Sequence, residues 1–142
     1  MNLIQRLLKP KRKRSISLAS DCKAIFITNR GTHNIMQSLT TLELAAWIDN
    51  TARENPVLLD VREPWEFETC HIDGALIMPM NTIPDKLSEL DKKQPIVCIC
   101  HHGMRSMQVT LFLEQHGFTL ISNLTGGMHA WAHQVDSTMP TY

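Results

Sequence analysis

Five apolar residues, Ile96-Val97-Cys98-Ile99-Cys100, follow Pro95 without a polar interruption, and a helical pattern begins only a few residues later. A strand with no polar alternation has no face to give to water, so it belongs inside a parallel sheet that is covered on both sides. Helices must supply that cover. The remaining pattern agrees: Thr40 and Glu43 have capping-box spacing ahead of a helix predicted over 41–53, and Pro56 closes it. Val57 to Val61 reads as a second buried strand ending in acid, Pro64 to Phe67 as a helical turn, and Ala75 to Ile77 as a short strand after Gly74. A helix is predicted over 83–90 and another from Arg105 to a glycine cap at Gly117. Leu120-Ile121 makes one more strand, and Gly126-Gly127 turns the chain into Met128 to His133. Strands alternating with helices at this spacing predict an α/β chain with a central, mainly parallel sheet.

Charge divides the chain in two. Lys plus Arg and Asp plus Glu both number 14, yet residues 1–35 hold eight basic residues against the single acid Asp21, a balance of +7. The remainder carries −7. A uniform neutral globule is excluded; the working picture is a basic extension over residues 1–36, a domain over 37–137 and a short tail, 138–142. The acidic piece, about 107 residues, is the size of one domain. No apolar run reaches the length of a membrane-spanning helix, and Ile25 to Thr28 is too short for a secretory h-region. Cys22, Cys70, Cys98 and Cys100 lack the density of a disulfide-stapled domain, so reduced thiols and a cytoplasmic location are expected.

Ligands of open parallel sheets sit beyond the carboxyl ends of the strands, and Cys100 stands at that point. It opens a short loop whose last residue starts a helix. Backbone N–H groups and the positive end of that helix can therefore converge on its sulfur, and Arg105 adds a charge at the loop's far side. Such surroundings favour the thiolate, which is the nucleophilic form. Cys100 is the candidate nucleophile; a buried structural cysteine is the competing reading of the same position, and is the preferred one for Cys98. His101-His102 and Cys70-His71 form adjacent pairs rather than the spaced ligands of a zinc site, so no metal is expected.

Four segments in series then resemble the rhodanese-like domain family over roughly residues 38–134: Leu58 to Phe67, His71 to Ala75, Cys100-His101-His102-Gly103-Met104-Arg105-Ser106, and Leu124 to Gly127 with Trp131. The resemblance implies a three-layer α/β fold and, without a cofactor, a sulfurtransferase working through a persulfide on Cys100. The donor would be thiosulfate or a similar small sulfur compound, and the acceptor cyanide, a thiol or a protein. A noncatalytic interaction module or a persulfide carrier for a partner protein is the alternative. In this reading the amides of His101 to Ser106 ring the sulfur, Gly103 lets the loop close, and Arg105 holds an anionic donor. The two histidines are read as lending amides, with their rings toward solvent; a charged ring that favours anionic donors is the other option. Four residues separate Cys100 from Arg105, one fewer than in the related phosphatases, and the smaller cradle suits sulfur. Asp60, Arg62 and Glu63 are expected to fix the turn after their strand, His71 to tie down a turn, and Trp131 to pack the last helix. Cys70 stands where the family often has glycine and is read as a tolerated small residue.

The basic extension lies outside the resemblance. Five cationic residues within Lys9 to Arg14, beside the apolar Leu3, Ile4, Leu7 and Leu8, can bind anionic surfaces; no specific nucleic-acid recognition is expected. Its low acid content would also suit an organellar targeting segment, and Met36 is a second candidate start. Binding of the full chain to anionic vesicles and to RNA should be salt-sensitive and should vanish in a chain begun at Met36; equal binding by both would remove the extension from any such role.

Overall fold

A computed structural model describes residues 36–142. The basic extension through Ile35, including the Leu3 to Leu8 face and Cys22, lies outside the described residues. Five strands and five α-helices lie among the described residues: β1 (Gln37–Leu39), α1 (Thr41–Asp49), β2 (Val57–Asp60), α2 (Pro64–Thr69), β3 (Leu76–Ile77), α3 (Ile83–Lys86), β4 (Ile96–Ile99), α4 (Met104–Gln115), β5 (Ile121–Leu124) and α5 (Gly127–Gln134). The strands form one sheet in the order β1-β5-β4-β2-β3, and each pairing is parallel.

The unbroken apolar run of β4 has its explanation in two cores. Ile96 and Cys98 point to one face with Leu59, where Ile83, Val109 and Leu113 cover them. Val97 and Ile99 point to the other with Leu58, against Leu44, Met128 and Trp131. All four β4 residues are buried, and each fully buried Leu or Ile contributes roughly 1.5–3 kcal/mol. The α/β architecture with helices on both faces of a parallel sheet is as the sequence implies.

Local signals differ in how far they carry. Thr40 caps α1: its hydroxyl accepts from the Glu43 amide at 3.2 Å, and the Glu43 carboxylate takes the Thr40 amide at 2.8 Å. The helix nevertheless ends at Asp49 rather than at residue 53. The helix expected over 83–90 is one α-turn, α3, followed by a 3-10 turn at Leu87–Glu89. Leu120 precedes β5 instead of opening it, although its carbonyl still accepts the Ile96 amide at 2.8 Å. Strand β1 has no counterpart in the sequence reading. Two of its three residues are exposed, so it carries no apolar signature and exists through its pairing with β5, supported by the Thr125 amide on the Leu39 carbonyl at 2.8 Å.

From β2 the chain leaves to one side for β3 and returns to the other side for β4, so the sheet changes direction between β2 and β4. Their carboxyl ends carry the polar residues that position the site. Asp60 closes β2 and is fully buried with Arg62. The guanidinium meets the carboxylate through Nε at 2.9 Å and Nη2 at 2.6 Å. Burial opposes its charge, but Asp60 and then Tyr142 outweigh that, and the Arg62 pKa is raised. Removing one partner of such a pair strands the other in the interior. Asp60→Ala should therefore lower unfolding stability by about 3–5 kcal/mol in urea titrations; a loss under about 1 kcal/mol would show that the pair is not structural.

Candidate functional site

Cys100 follows β4 directly and is almost wholly buried. Its Sγ accepts the Gly103 amide at 3.0 Å and lies 3.2 Å from the Ser106 hydroxyl. Gly103 caps α4 with φ of +101°, a conformation that side chains resist, and an added Cβ would press on the Leu124 carbonyl and the Gly126 amide at 3.2 and 3.3 Å. The loop is thus shaped by its glycine. Where the sequence reading has a ring of amides from residues 101–106, the thiol itself takes one amide and one hydroxyl among the described residues. The first amides of α4, from Met104 to Ser106, have no partner within the helix and remain the donors at its positive end.

A buried polar chain stands behind the sulfur. The Ser106 hydroxyl also lies 2.6 Å from Asn123 Oδ1, and Asn123 Nδ2 donates to the Gly103 carbonyl at 3.2 Å. Ser106 has a single proton for two acceptors. Thr110 returns its hydroxyl to the Ser106 carbonyl at 2.8 Å, which seats the first turn of α4. Asn123, on β5, escaped the sequence reading: it lies beyond the Leu120-Ile121 strand expected there, beside a second polar residue, Ser122, and no local pattern marks it.

The second wall of the loop is the start of α5. The amides of Met128 and His129 donate to the carbonyls of Cys100 and His101 at 2.9 and 3.0 Å. Gly127 passes so close that an added Cβ would overlap both of those carbonyls. Trp131 packs into the core as expected.

Arg105 is not the free cation that its place in the loop suggests. Its two terminal nitrogens each meet an oxygen of Glu66 at 2.7 Å. Glu66 is buried on α2, where it also accepts the Glu63 amide at 2.9 Å and the Tyr142 hydroxyl at 3.0 Å. Tyr142 in turn accepts from Arg62 Nη1 at 2.8 Å. A continuous path therefore runs from Asp60 through Arg62, Tyr142 and Glu66 to Arg105. The residues of the expected tail include one that reaches into this network.

The remaining candidates fall as follows. His102 and Met104 are exposed, whereas the His101 ring is half-buried rather than turned to solvent, 4.4 Å from the Tyr142 ring. Burial, then the neighbouring His102 and His129, push the His101 pKa down, which favours the neutral ring. Cys98 lies in the core, and burial pushes its thiol up to about 12, which leaves it protonated and unreactive. Cys70 is buried beside Arg62 and gives its carbonyl to Nη2 at 2.7 Å. His71 Nδ1 lies 2.8 Å from the Phe67 carbonyl, tying the end of α2 to the next turn.

The Glu66 carboxyl is drawn from its usual 4.5 to about 2, first by the bonds from Arg105 and against the cost of burial. A carboxyl depressed in the folded state contributes stability above its unfolded value and loses it as the pH falls toward the folded one. Stability should therefore drop between pH 4.5 and 2, and Glu66→Gln should flatten that part of the curve. Urea midpoints at pH 5 and pH 3 for both proteins test this; an unchanged slope would remove Glu66 from the acid response.

Comparison with known proteins agrees with this geometry. Residues 40–134 match the family model of the rhodanese-like domain. A protein named sulfurtransferase from Allochromatium vinosum is 40% identical over 79 residues, 56% of this chain and 74% of that relative. The thiosulfate sulfurtransferase GlpE of Stutzerimonas stutzeri is 31% identical over 81 residues, 57% of this chain and 74% of that one. Other relatives are longer, and the chain spans 30% and 27% of the length of two of them. The crystal structure of a rhodanese-like domain protein from Staphylococcus aureus superposes with a TM-score of 0.63 at 36% identity, covering 68% of this chain and 91% of that one. With a family match across most of its length and a loop cysteine set at the carboxyl edge of a parallel sheet, this chain belongs to the rhodanese-like domain family.

Proposed function

We propose that the chain is a sulfurtransferase that carries sulfane sulfur as a persulfide on Cys100, with thiosulfate as a donor. The observation that carries this reading is the placement of the Cys100 sulfur, on the Gly103 amide at 3.0 Å and beside the Ser106 hydroxyl, at the N-terminal end of α4. Donors in this position stabilise an anionic sulfur without contributing a group that competes for the donor.

The chemistry runs in two displacements. The Cys100 thiolate attacks the outer sulfur of thiosulfate; the new S–S bond forms as the old one breaks, and sulfite leaves with the electron pair. The enzyme then holds Cys100-S-S⁻, whose terminal sulfur carries the negative charge. A thiolate or cyanide attacks that terminal sulfur, takes it away as a persulfide or thiocyanate, and returns the Cys100 thiolate. No oxidant or reductant is consumed.

The loop divides these tasks. Gly103 and Ser106 serve the inner sulfur, while the unpaired amides at the start of α4 are the donors available to an outer one. Arg105, held by Glu66, presents a fixed and largely balanced charge at the rim, so the anionic donor is recognised chiefly by backbone dipoles. Arg105 then acts as a positioning residue, and the bonds to Glu66 leave it further N–H groups to offer a ligand.

Protein incubated with thiosulfate should gain one sulfur atom on Cys100 by mass spectrometry, lose it on adding cyanide with release of thiocyanate, and gain none as Cys100→Ser. Labelling that persists in Cys100→Ser would sink the assignment. Absence of labelling in the wild-type chain with thiosulfate, but labelling with a persulfide donor, would change the donor and keep the carrier residue.

A further inference from the structure

Two adjacent pairs, His101-His102 and Cys70-His71, gave the sequence no spaced third ligand. The fold supplies one from elsewhere. The His129 amide bonds to the His101 carbonyl at 3.0 Å, which sets the first turn of α5 beside the loop. One ring nitrogen from each of His101, His102 and His129 then lies within 4.8 Å of the other two. The ring centroids are 4.1 Å apart for His101 and His102, 5.0 Å for His102 and His129, and 5.9 Å for His101 and His129.

These three rings are idle in a way that the others are not. His71, His116 and His133 each place Nδ1 at 2.7 to 2.8 Å from the backbone carbonyl four residues earlier. Among the described residues, no hydrogen bond reaches the rings of His101, His102 or His129, and His101 Nδ1 is a buried nitrogen without any partner. A buried polar atom normally finds a partner.

We propose that His101, His102 and His129 form a binding site for a late first-row divalent cation such as Zn²⁺. Three imidazoles with no carboxylate select a borderline-soft cation over Mg²⁺ or Ca²⁺, and they leave a fourth coordination position for water or an anion. Ligands about 2.0–2.1 Å from tetrahedral zinc stand roughly 3.3 Å apart, so the nitrogens must draw in by at most about 1.5 Å. His102 and His129 are exposed, and rotation of their side chains supplies that movement while the backbone bond between His129 and His101 keeps the elements in register. The site requires the three rings and not the Cys100 thiol, so it stands or falls apart from the sulfur chemistry.

Calorimetric titration of the full-length, tag-free chain with Zn²⁺, paralleled by Co²⁺ absorption, should give one cation per chain and the visible bands of a four-coordinate nitrogen site. His129→Ala and His102→Ala should each weaken binding by about 100-fold or more, since even supporting residues of such sites are worth 10–100-fold. His116→Ala, whose Nδ1 lies on the Phe112 carbonyl at 2.7 Å and whose ring touches none of the three, should leave affinity unchanged. Because His102 and His129 are exposed and unbonded, thermal melting without metal should match the wild type in both variants, and either one suffices for the comparison. Absence of binding in the wild type, or binding that survives both substitutions and is lost in Cys100→Ser, would overturn the site.

Discussion

The Arg62 guanidinium, wholly removed from solvent, spends its donors on Asp60, the carbonyls of Glu66 and Cys70, and the Tyr142 hydroxyl. A charge in that position is tolerable only with all of those acceptors in place. They come from the end of β2, from α2 and the residue that caps it, and from the far end of the chain. Satisfying one buried cation thereby fixes the height and angle of α2 against the sheet. Glu66 rides on that helix and delivers a carboxylate to Arg105 on the loop that follows Cys100. The electrostatics of the site are thus set two ion pairs away from the sulfur.

The Cys100 sulfur depends on a second arrangement, made of backbone rather than side chains. The carboxyl edge of β4, the N-terminus of α4 and the N-terminus of α5 meet at Cys100. Their contact is possible because Gly103 and Gly127 have no Cβ to separate them. Ser106 and Asn123 fill the space behind, so the sulfur rests on a polar floor inside an otherwise apolar layer.

What the sequence made legible was whatever is contiguous. The strand, the loop and the helix at residues 96–113 lie side by side in the chain, so their chemistry can be read along one line, and the two-core packing follows from an apolar run with no alternation. The ion pair of Glu66 with Arg105, the contact of Ser106 with Asn123 and the approach of His129 to His101 each join residues that only the sheet order brings together. No local pattern announces them. Strand β1 was hidden for a related reason: it is an exposed edge strand whose existence depends on β5. Tyr142 was hidden because a short terminal segment has no periodicity to reveal that its last side chain is bound inward.

The close passage of Gly127 beneath the Cys100 and His101 carbonyls has a mechanical consequence. Two hydrogen bonds and a contact with no room for a methyl group weld the loop to α5, and the buried Trp131 welds α5 to the core. The loop and the first turn of α5 are therefore one packed unit, and separating them would break both hydrogen bonds. Its dipoles are aligned by the packing of α5 and not by anything outside the fold. The corresponding limit is geometric: the space beside the Cys100 sulfur is bounded by backbone at Gly103 and Gly127, so its shape is set by the chain's path before any side chain is consulted.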